Sequence, residues 1–157
     1  MIYIFDNNTL SGIFRHYYRD SFPSFWNLFD KMVADGSILS VREVRNEVRK
    51  INRKDELEDW AKDNPGFFHD PTPEELSFIT KIYSVPHFYN SISQKQLLKG
   101  DPFADPYIIA KAHIMHGTVV TQEKRAPNAA KIPNICSHFQ IPCINLQDFF
   151  IQNNWSF

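Results

Sequence analysis

Glycine is scarce in this chain, with 5 residues in 157. Flexible joints are correspondingly few. Neither G-x-x-x-x-G-K-[ST] nor G-x-G-x-x-G occurs, which excludes the glycine-rich loops that cradle nucleotide phosphates. Cysteine is scarcer still. Cys136 and Cys143 exclude a disulfide-built scaffold and point to free, packed thiols in a reducing compartment. No window approaches the roughly 18 apolar residues of a membrane helix. The apolar start, Met1 to Phe5, is followed at once by Asp6; it has no basic flank and is too short for a signal peptide. A cytoplasmic protein without membrane attachment is expected. Charge of one sign is also lacking, since the formal net charge is −1. A nucleic-acid ligand would therefore need a local basic patch rather than an overall basic field.

What is present is an ordinary globular composition, 43% hydrophobic and 22% charged. This length supports one sizeable core, so a single domain over residues 1–157 is expected. Aromatic residues are plentiful, with 14 Phe, 6 Tyr and 3 Trp. Most of them belong in the core. Tyr17, Tyr18, Phe22 and Trp26 are the alternative candidates for a dimer or partner surface.

Short apolar runs at Ile2–Phe5, Ser37–Ser40 and Thr118–Thr121 have the unbroken character of strands buried on both faces. A fourth strand is expected at Cys143–Leu146 and a brief one near Phe67–His69. Helical spacing runs from Thr9 to about Tyr18 and from Pro23 to Ala34, with Asp35-Gly36 as its stop. Ser40 is placed to cap a helix carrying Val41, Val44, Val48 and Ile51. A charged helix spans 52–63. Thr72-Pro73-Glu74-Glu75 reads as a helix start. Lys99-Gly100-Asp101-Pro102 reads as a loop, with Asp101 a turn residue. Another helix runs from Asp105 to His116, stopped by Gly117. Shorter helices are expected at 134–139 and 147–153. Strands alternating with helices predict an α/β fold: a mostly parallel twisted sheet of four to five short strands, covered on both faces in three layers.

In such sheets, sites form at the carboxyl ends of strands. Asp6 follows the first strand, Glu43 the second, and Glu123 the strand ending at Thr121, while Asp105 opens the preceding helix. Glu47, four residues after Glu43, shares its helix face and is its substitute. Carboxylates gathered together repel, and a hard divalent cation with oxygen ligands relieves that repulsion.

These pieces resemble the PIN-domain nucleases, which include the toxin halves of many bacterial toxin–antitoxin pairs. Ile2-Tyr3-Ile4-Phe5-Asp6-Asn7-Asn8 is similar to the family's strand and Asp-x-Asn. Ile38-Leu39-Ser40-Val41-Arg42-Glu43 is similar to its strand, Ser and Glu. Asp105-Pro106-Tyr107-Ile108-Ile109-Ala110 is similar to Asp-x-x-Ile-x-Ala, and Val119-Val120-Thr121-Gln122-Glu123 to its Thr-x-Asp. The chain looks like a little-characterised stand-alone branch, and it departs at two positions. Asn7 stands where the family has Ser or Thr, and Glu123 where it has Asp, which favours ligation through water.

The resemblance implies a PIN-like α/β/α fold and hydrolysis of RNA phosphodiester bonds with Mg²⁺ or Mn²⁺. It implies Asp6 and Asp105 as direct ligands, Glu43 holding metal-bound waters or acting as base, and Glu123 completing the site. Asn8 and Thr121 would orient the carboxylates. An antitoxin partner and a homodimer are implied as well. Arg42, Lys124 and Arg125 are candidate backbone contacts. The wider basic run through Arg45, Arg49, Lys50, Arg53 and Lys54 reads equally as a solvated face.

Other constellations carry less. His113 and His116 lack the glutamate of H-E-x-x-H and a third ligand, so zinc is not expected. Asp6-Asn7-Asn8 lacks the second aspartate of a haloacid-dehalogenase phosphatase, and the last strand lacks a receiver-domain lysine. The competing reading of the four acids is a weakened scaffold that binds protein or RNA without cutting it.

Overall fold

The computed structural model describes residues 1–50, 55–100 and 103–157. Ile51, Asn52, Arg53, Lys54, Asp101 and Pro102 lie outside the described residues. The three apolar runs form the centre of the sheet as β1 (Tyr3–Phe5), β2 (Ile38–Val41) and β4 (Thr118–Val120), each buried throughout. Two-residue strands, β3 (Phe68–His69) and β5 (Cys143–Ile144), form the edges. The order is β3-β2-β1-β4-β5, and every pairing is parallel. The helices among the described residues are α1 (Asn7–His16), α2 (Pro23–Ala34), α3 (Arg42–Lys50), α4 (Glu56–Asp63), α5 (Pro73–Tyr83), α6 (Pro86–Lys99), α7 (Asp105–Met115), α8 (Ile132–His138) and α9 (Leu146–Gln152).

Side chains alternate across a strand, so Tyr3 and Phe5 share one face and Ile4 takes the other. Phe149 of α9 meets Tyr3 and Phe5 edge-on, with ring centroids 4.7 and 5.2 Å away, and Phe29 of α2 lies 6.3 Å from Phe5. The opposite face is covered by α7, which packs on β1, β2 and β4. The fold is three-layered, as expected. Of the aromatics set out for a partner surface, Trp26 is buried in the core instead, Tyr17 and Phe22 are half-buried against it, and Tyr18 is exposed.

Several local expectations need correction. Ser40 is not a helix cap. It is buried inside β2, and its hydroxyl donates to the Phe5 carbonyl on β1. Val41 likewise closes β2 rather than opening α3. Gly117 does not supply the left-handed residue that ends α7. His116 does, at φ 52°, while the Gly117 amide reaches back to the Ala112 carbonyl at 2.9 Å. Glycine is required at 117 for closeness: a Cβ there would sit 2.9 Å from the Ile2 carbonyl oxygen. α6 has little signal in the sequence pattern, because Phe88 and Ile92 are its buried residues and make a single i, i+4 pair.

α5 is bolted to α7 by a buried ion pair. Lys111 Nζ lies 2.7 Å from Glu75 Oε1, with side-chain exposures of 3% and 2%. The same ammonium donates to the Asp70 carbonyl at 3.2 Å. Breaking such a pair strands a charge in the core, whereas replacing both partners with apolar groups does not. Lys111→Met is therefore expected to lower unfolding free energy by about 3–5 kcal/mol. Lys111→Met/Glu75→Leu is expected to recover most of that loss; urea denaturation of both variants measures it.

Candidate functional site

The sheet order reverses direction between β1 and β4. At such a switch the chains leaving two adjacent strands turn to opposite faces of the sheet, which is where sites form in open α/β folds. Asp6 sits at the end of β1, with the Asp6 amide bonded to the Val120 carbonyl of β4 at 3.3 Å. Its carboxylate caps α1 by accepting from the Thr9 amide at 2.9 Å, and its other oxygen accepts from the Thr121 hydroxyl. The Thr9 hydroxyl donates to the Val120 carbonyl at 3.0 Å. Asp6 is buried, at 3% exposure. Burial raises its pKa to about 6; the Thr121 and Thr9 hydrogen bonds pull the other way, and the charge of Glu123 adds to the rise.

Asp105 opens α7 and is also buried. Burial comes first in holding its carboxyl well above the usual range. The negative charge of Glu123 adds to this, Lys95 opposes it, and Asp6 and Glu47 add further. Asp6, Asp105 and Glu123 therefore act on one another electrostatically. Among the described residues, the buried side-chain polar atoms without a hydrogen-bond partner are Asp105 Oδ2 and Glu43 Oε2. Buried polar groups are otherwise almost always satisfied, and an exception points to an ion, a water or a catalytic role.

The two glutamates of α3 divide the work. Glu47 has both oxygens engaged: one accepts from the Ala104 amide at 3.2 Å, the other from Asn7 Nδ2 at 3.3 Å. It braces the β1 loop against the residue preceding Asp105. Glu43 is buried, with Oε1 on Arg42 at 2.9 Å and Oε2 left open. Its charge reaches Tyr107, two residues along α7 from Asp105, whose phenol is raised first by burial and then by Glu43. Asn7, the residue that departs from the resembled motif, is the donor that holds Glu47.

The other departure, Glu123, has a structural consequence. Its Oε2 accepts from the Ile132 amide at 2.9 Å, and its own amide donates to Thr121 Oγ1 at 3.1 Å. The longer side chain thus reaches the first residue of α8, whose preceding residue provides no side-chain cap. Among the described residues no hydrogen bond joins Asn8 to a carboxylate; its Oδ1 accepts from the Gln122 amide at 3.0 Å and joins the two loops. Gln122 Oε1 in turn accepts from the Leu146 amide at 3.1 Å, at the start of α9.

Lys124 and Arg125 are exposed and line a cleft of about 440 Å³, together with Glu123 and Cys143. Arg42 is half exposed and pairs with Glu43, and more loosely with Asp70 at 3.9 Å. Both cysteines are free. The buried Cys136 thiol is raised, first by its hydrogen bond with Cys143 and then by burial, and the charges of Asp105 and Glu123 reach it. His113 stacks on Phe78 with centroids 3.9 Å apart. Lys95, which reach no sequence motif signals, also lies 5.0 Å over the Phe103 ring beside Asp105.

Among the described residues no three His, Cys, Asp or Glu side chains form a ready-made metal-ligating group. The donors are nevertheless hard carboxylate oxygens, two of them buried and open. Mg²⁺ keeps several waters and needs only one or two direct carboxylates, so the residues fit a largely hydrated cation.

Raised carboxyl pKa values have a consequence for stability. Between about pH 4 and pH 6 the folded protein retains a proton on Asp6 that the unfolded chain has lost, so stability falls as pH rises through that window. The pKa rise corresponds to roughly 3 kcal/mol for Asp6, and Asp105 extends the decline upward in pH. In chelator, the melting temperature is expected to fall from pH 5 to pH 7.5. Asp105→Asn is expected to flatten that fall; a wild-type profile independent of pH would contradict the assignment.

No curated protein matches this sequence. Among solved structures, the chain is similar to the VapBC2 complex from Rickettsia felis bound to a DNA fragment from its promoter. The identity is 16%, covering 92% of this chain and 98% of that one, with a TM-score of 0.48. The family model described as "Domain of unknown function (DUF4411)" matches residues 3–157, and the chain belongs to that family.

Proposed function

We propose that this protein is a divalent-metal-dependent endoribonuclease of PIN-like type. One observation carries the reading: Glu43 Oε2 and Asp105 Oδ2, from two of the four acids expected from sequence, are the described buried side-chain oxygens and nitrogens without a partner. Asp105 and Asp6 would hold Mg²⁺ or Mn²⁺, with Glu43 and Glu123 acting on its waters. A bound cation supplies polarisation of a phosphoryl oxygen and a more acidic water. The chain's own contribution is positioning. Thr121 and Thr9 fix the Asp6 carboxylate, and Glu47 fixes the approach to Asp105. Glu43 Oε2 offers an acceptor for the proton of an attacking water. The raised pKa values mean that a cation replaces protons when it binds, so affinity is expected to climb with pH. Lys124 and Arg125 in the adjoining cleft, and Arg42 beside Glu43, would meet RNA phosphates. An antitoxin partner and a homodimer belong to the same reading.

A second reading has its own support. Glu123 is engaged at α8, and among the described residues no ready-made ligand group exists; both suit a PIN-like scaffold that binds RNA or protein without cutting it. Calorimetric titration with Mn²⁺ separates the two. Binding in the millimolar range or tighter, lost in Asp105→Asn, is expected for the nuclease, with a rise in melting temperature on adding Mn²⁺. RNA cleavage is expected to fall on the order of 100-fold or more in Asp6→Asn and in Asp105→Asn. Cleavage that survives both changes, or that persists in chelator, rejects the proposal. No Mn²⁺ binding by folded protein favours the scaffold.

A further inference from the structure

A groove of about 340 Å³ runs between α3 and α4, lined by Arg42, Arg45, Asn46, Arg49 and Lys62 over a floor that includes Phe68. Four of these side chains are cationic, and no carboxylate lines the groove among the described residues. Arg42 is paired with Glu43 and Arg45 with Glu58, which leaves Arg49 and Lys62 as the exposed cations that face an incoming anion.

The cations are held as well as gathered. Arg45 is nearly buried and is gripped bidentately by Glu58 at 2.9 and 3.2 Å, which pulls the Glu58 pKa down. Arg42 is held by Glu43 at 2.9 Å. Both carboxylates orient their guanidinium groups from outside the lining, while Arg49 and Lys62 are exposed at the groove itself. Arg45 spends its fork on Glu58 and so braces the wall, while the half-exposed Arg42 and the exposed Arg49 and Lys62 have donors that suit phosphate oxygens.

Spacing identifies the kind of anion. Arg42, Arg45 and Arg49 repeat at three and four residues along α3, on the side that does not carry the Glu47 contacts. At about 1.5 Å per residue, Arg42 and Arg49 are roughly 10 Å apart along the helix. That matches the rise of about three stacked nucleotides, at about 3.4 Å each. A groove of this volume is too small to receive a duplex, and its apolar floor can lie against sugar or base. Arg42 follows the last residue of β2, placing it at the same end of the parallel sheet as Asp6, next to Glu43. The track therefore starts beside the acidic residues and leads away along α3.

We propose that this groove binds a single-stranded RNA backbone and guides it to or from the acidic residues. Its place in a reaction rests on the nuclease reading, whereas binding itself does not require cleavage. The test is fluorescence anisotropy of a labelled uridine oligomer of about 12 nucleotides, in chelator, at salt between about 50 and 200 mM. Arg49→Glu/Lys62→Glu is expected to weaken binding at least about tenfold. It is also expected to reduce the steepness of the log–log salt dependence by roughly 1.4, about 0.7 for each lost contact. The milder Arg49→Gln/Lys62→Gln should move both in the same direction, with circular dichroism melts verifying that each variant is folded. Lys31→Glu/Lys81→Glu, on α2 and α5, should change affinity less than about twofold. The proposal is overturned if the wild type does not bind, if the groove variants bind like the wild type, or if the control pair weakens binding equally. Binding lost in the groove variants while wild-type protein fails to cut RNA with Mn²⁺ would leave the groove standing and remove the nuclease.

Discussion

The seam between β1 and β4 is where the carboxyl end of this sheet is fastened. Four hydrogen bonds close it within a few residues: the Asp6 amide to the Val120 carbonyl, the Thr9 hydroxyl to the same carbonyl, the Thr121 hydroxyl to the Asp6 carboxylate, and the Gln122 amide to Asn8. Each joins a residue near 6 to one near 121, more than a hundred positions away. Because β1 is also paired with β2 and buried on both faces, the seam cannot open without disturbing the core. Asp6 is thereby held where burial makes its ionisation costly.

The loop after β4 extends this fastening outward. Glu123 holds the start of α8, and Gln122 holds the start of α9. Helix starts carry unsatisfied amides and partial positive charge, so an acidic or amide side chain is well used there. The same loop thus supplies a charge that acts on Asp6 and Asp105 and two anchors for the helices behind it. The extra methylene of Glu123 has a mechanical explanation in this geometry: it is spent reaching Ile132.

α3 carries both Glu43 and Glu47 and the three arginines that line the groove toward α4. Glu47 points its bonds toward Asn7 and Ala104, Glu43 is buried with one oxygen open, and Arg42, Arg45 and Arg49 line the groove toward α4. A helix can present both because residues three and four apart share a face while their neighbours turn away. Of the two readings of the basic run, backbone contact or solvated face, neither covers Arg45, which is almost wholly buried against Glu58.

Much of this was legible beforehand because burial leaves a mark in the order of residues. The apolar runs at β1, β2 and β4, the bounds of α2, the Thr72 cap of α5 and the α/β class all follow from local pattern, since strands covered on both faces must be apolar throughout. The positions of Asp6, Glu43 and Glu123 just beyond strands could be read from the same pattern. Other features depend on which distant segments meet. Ser40 was mistaken for a cap because its partner, the Phe5 carbonyl, is 35 residues away. α6 buries one i, i+4 pair, Phe88 and Ile92, which is too short a pattern to mark a helix. The bracing role of Glu47, the closeness demanded at Gly117, the engagement of Glu123 at α8 and the groove between α3 and α4 were decided by tertiary packing alone. Sequence determined which carboxylates stand at the sheet's end; only the folded arrangement decided which of their oxygens are occupied, because hydrogen-bond partners are assigned by proximity in space.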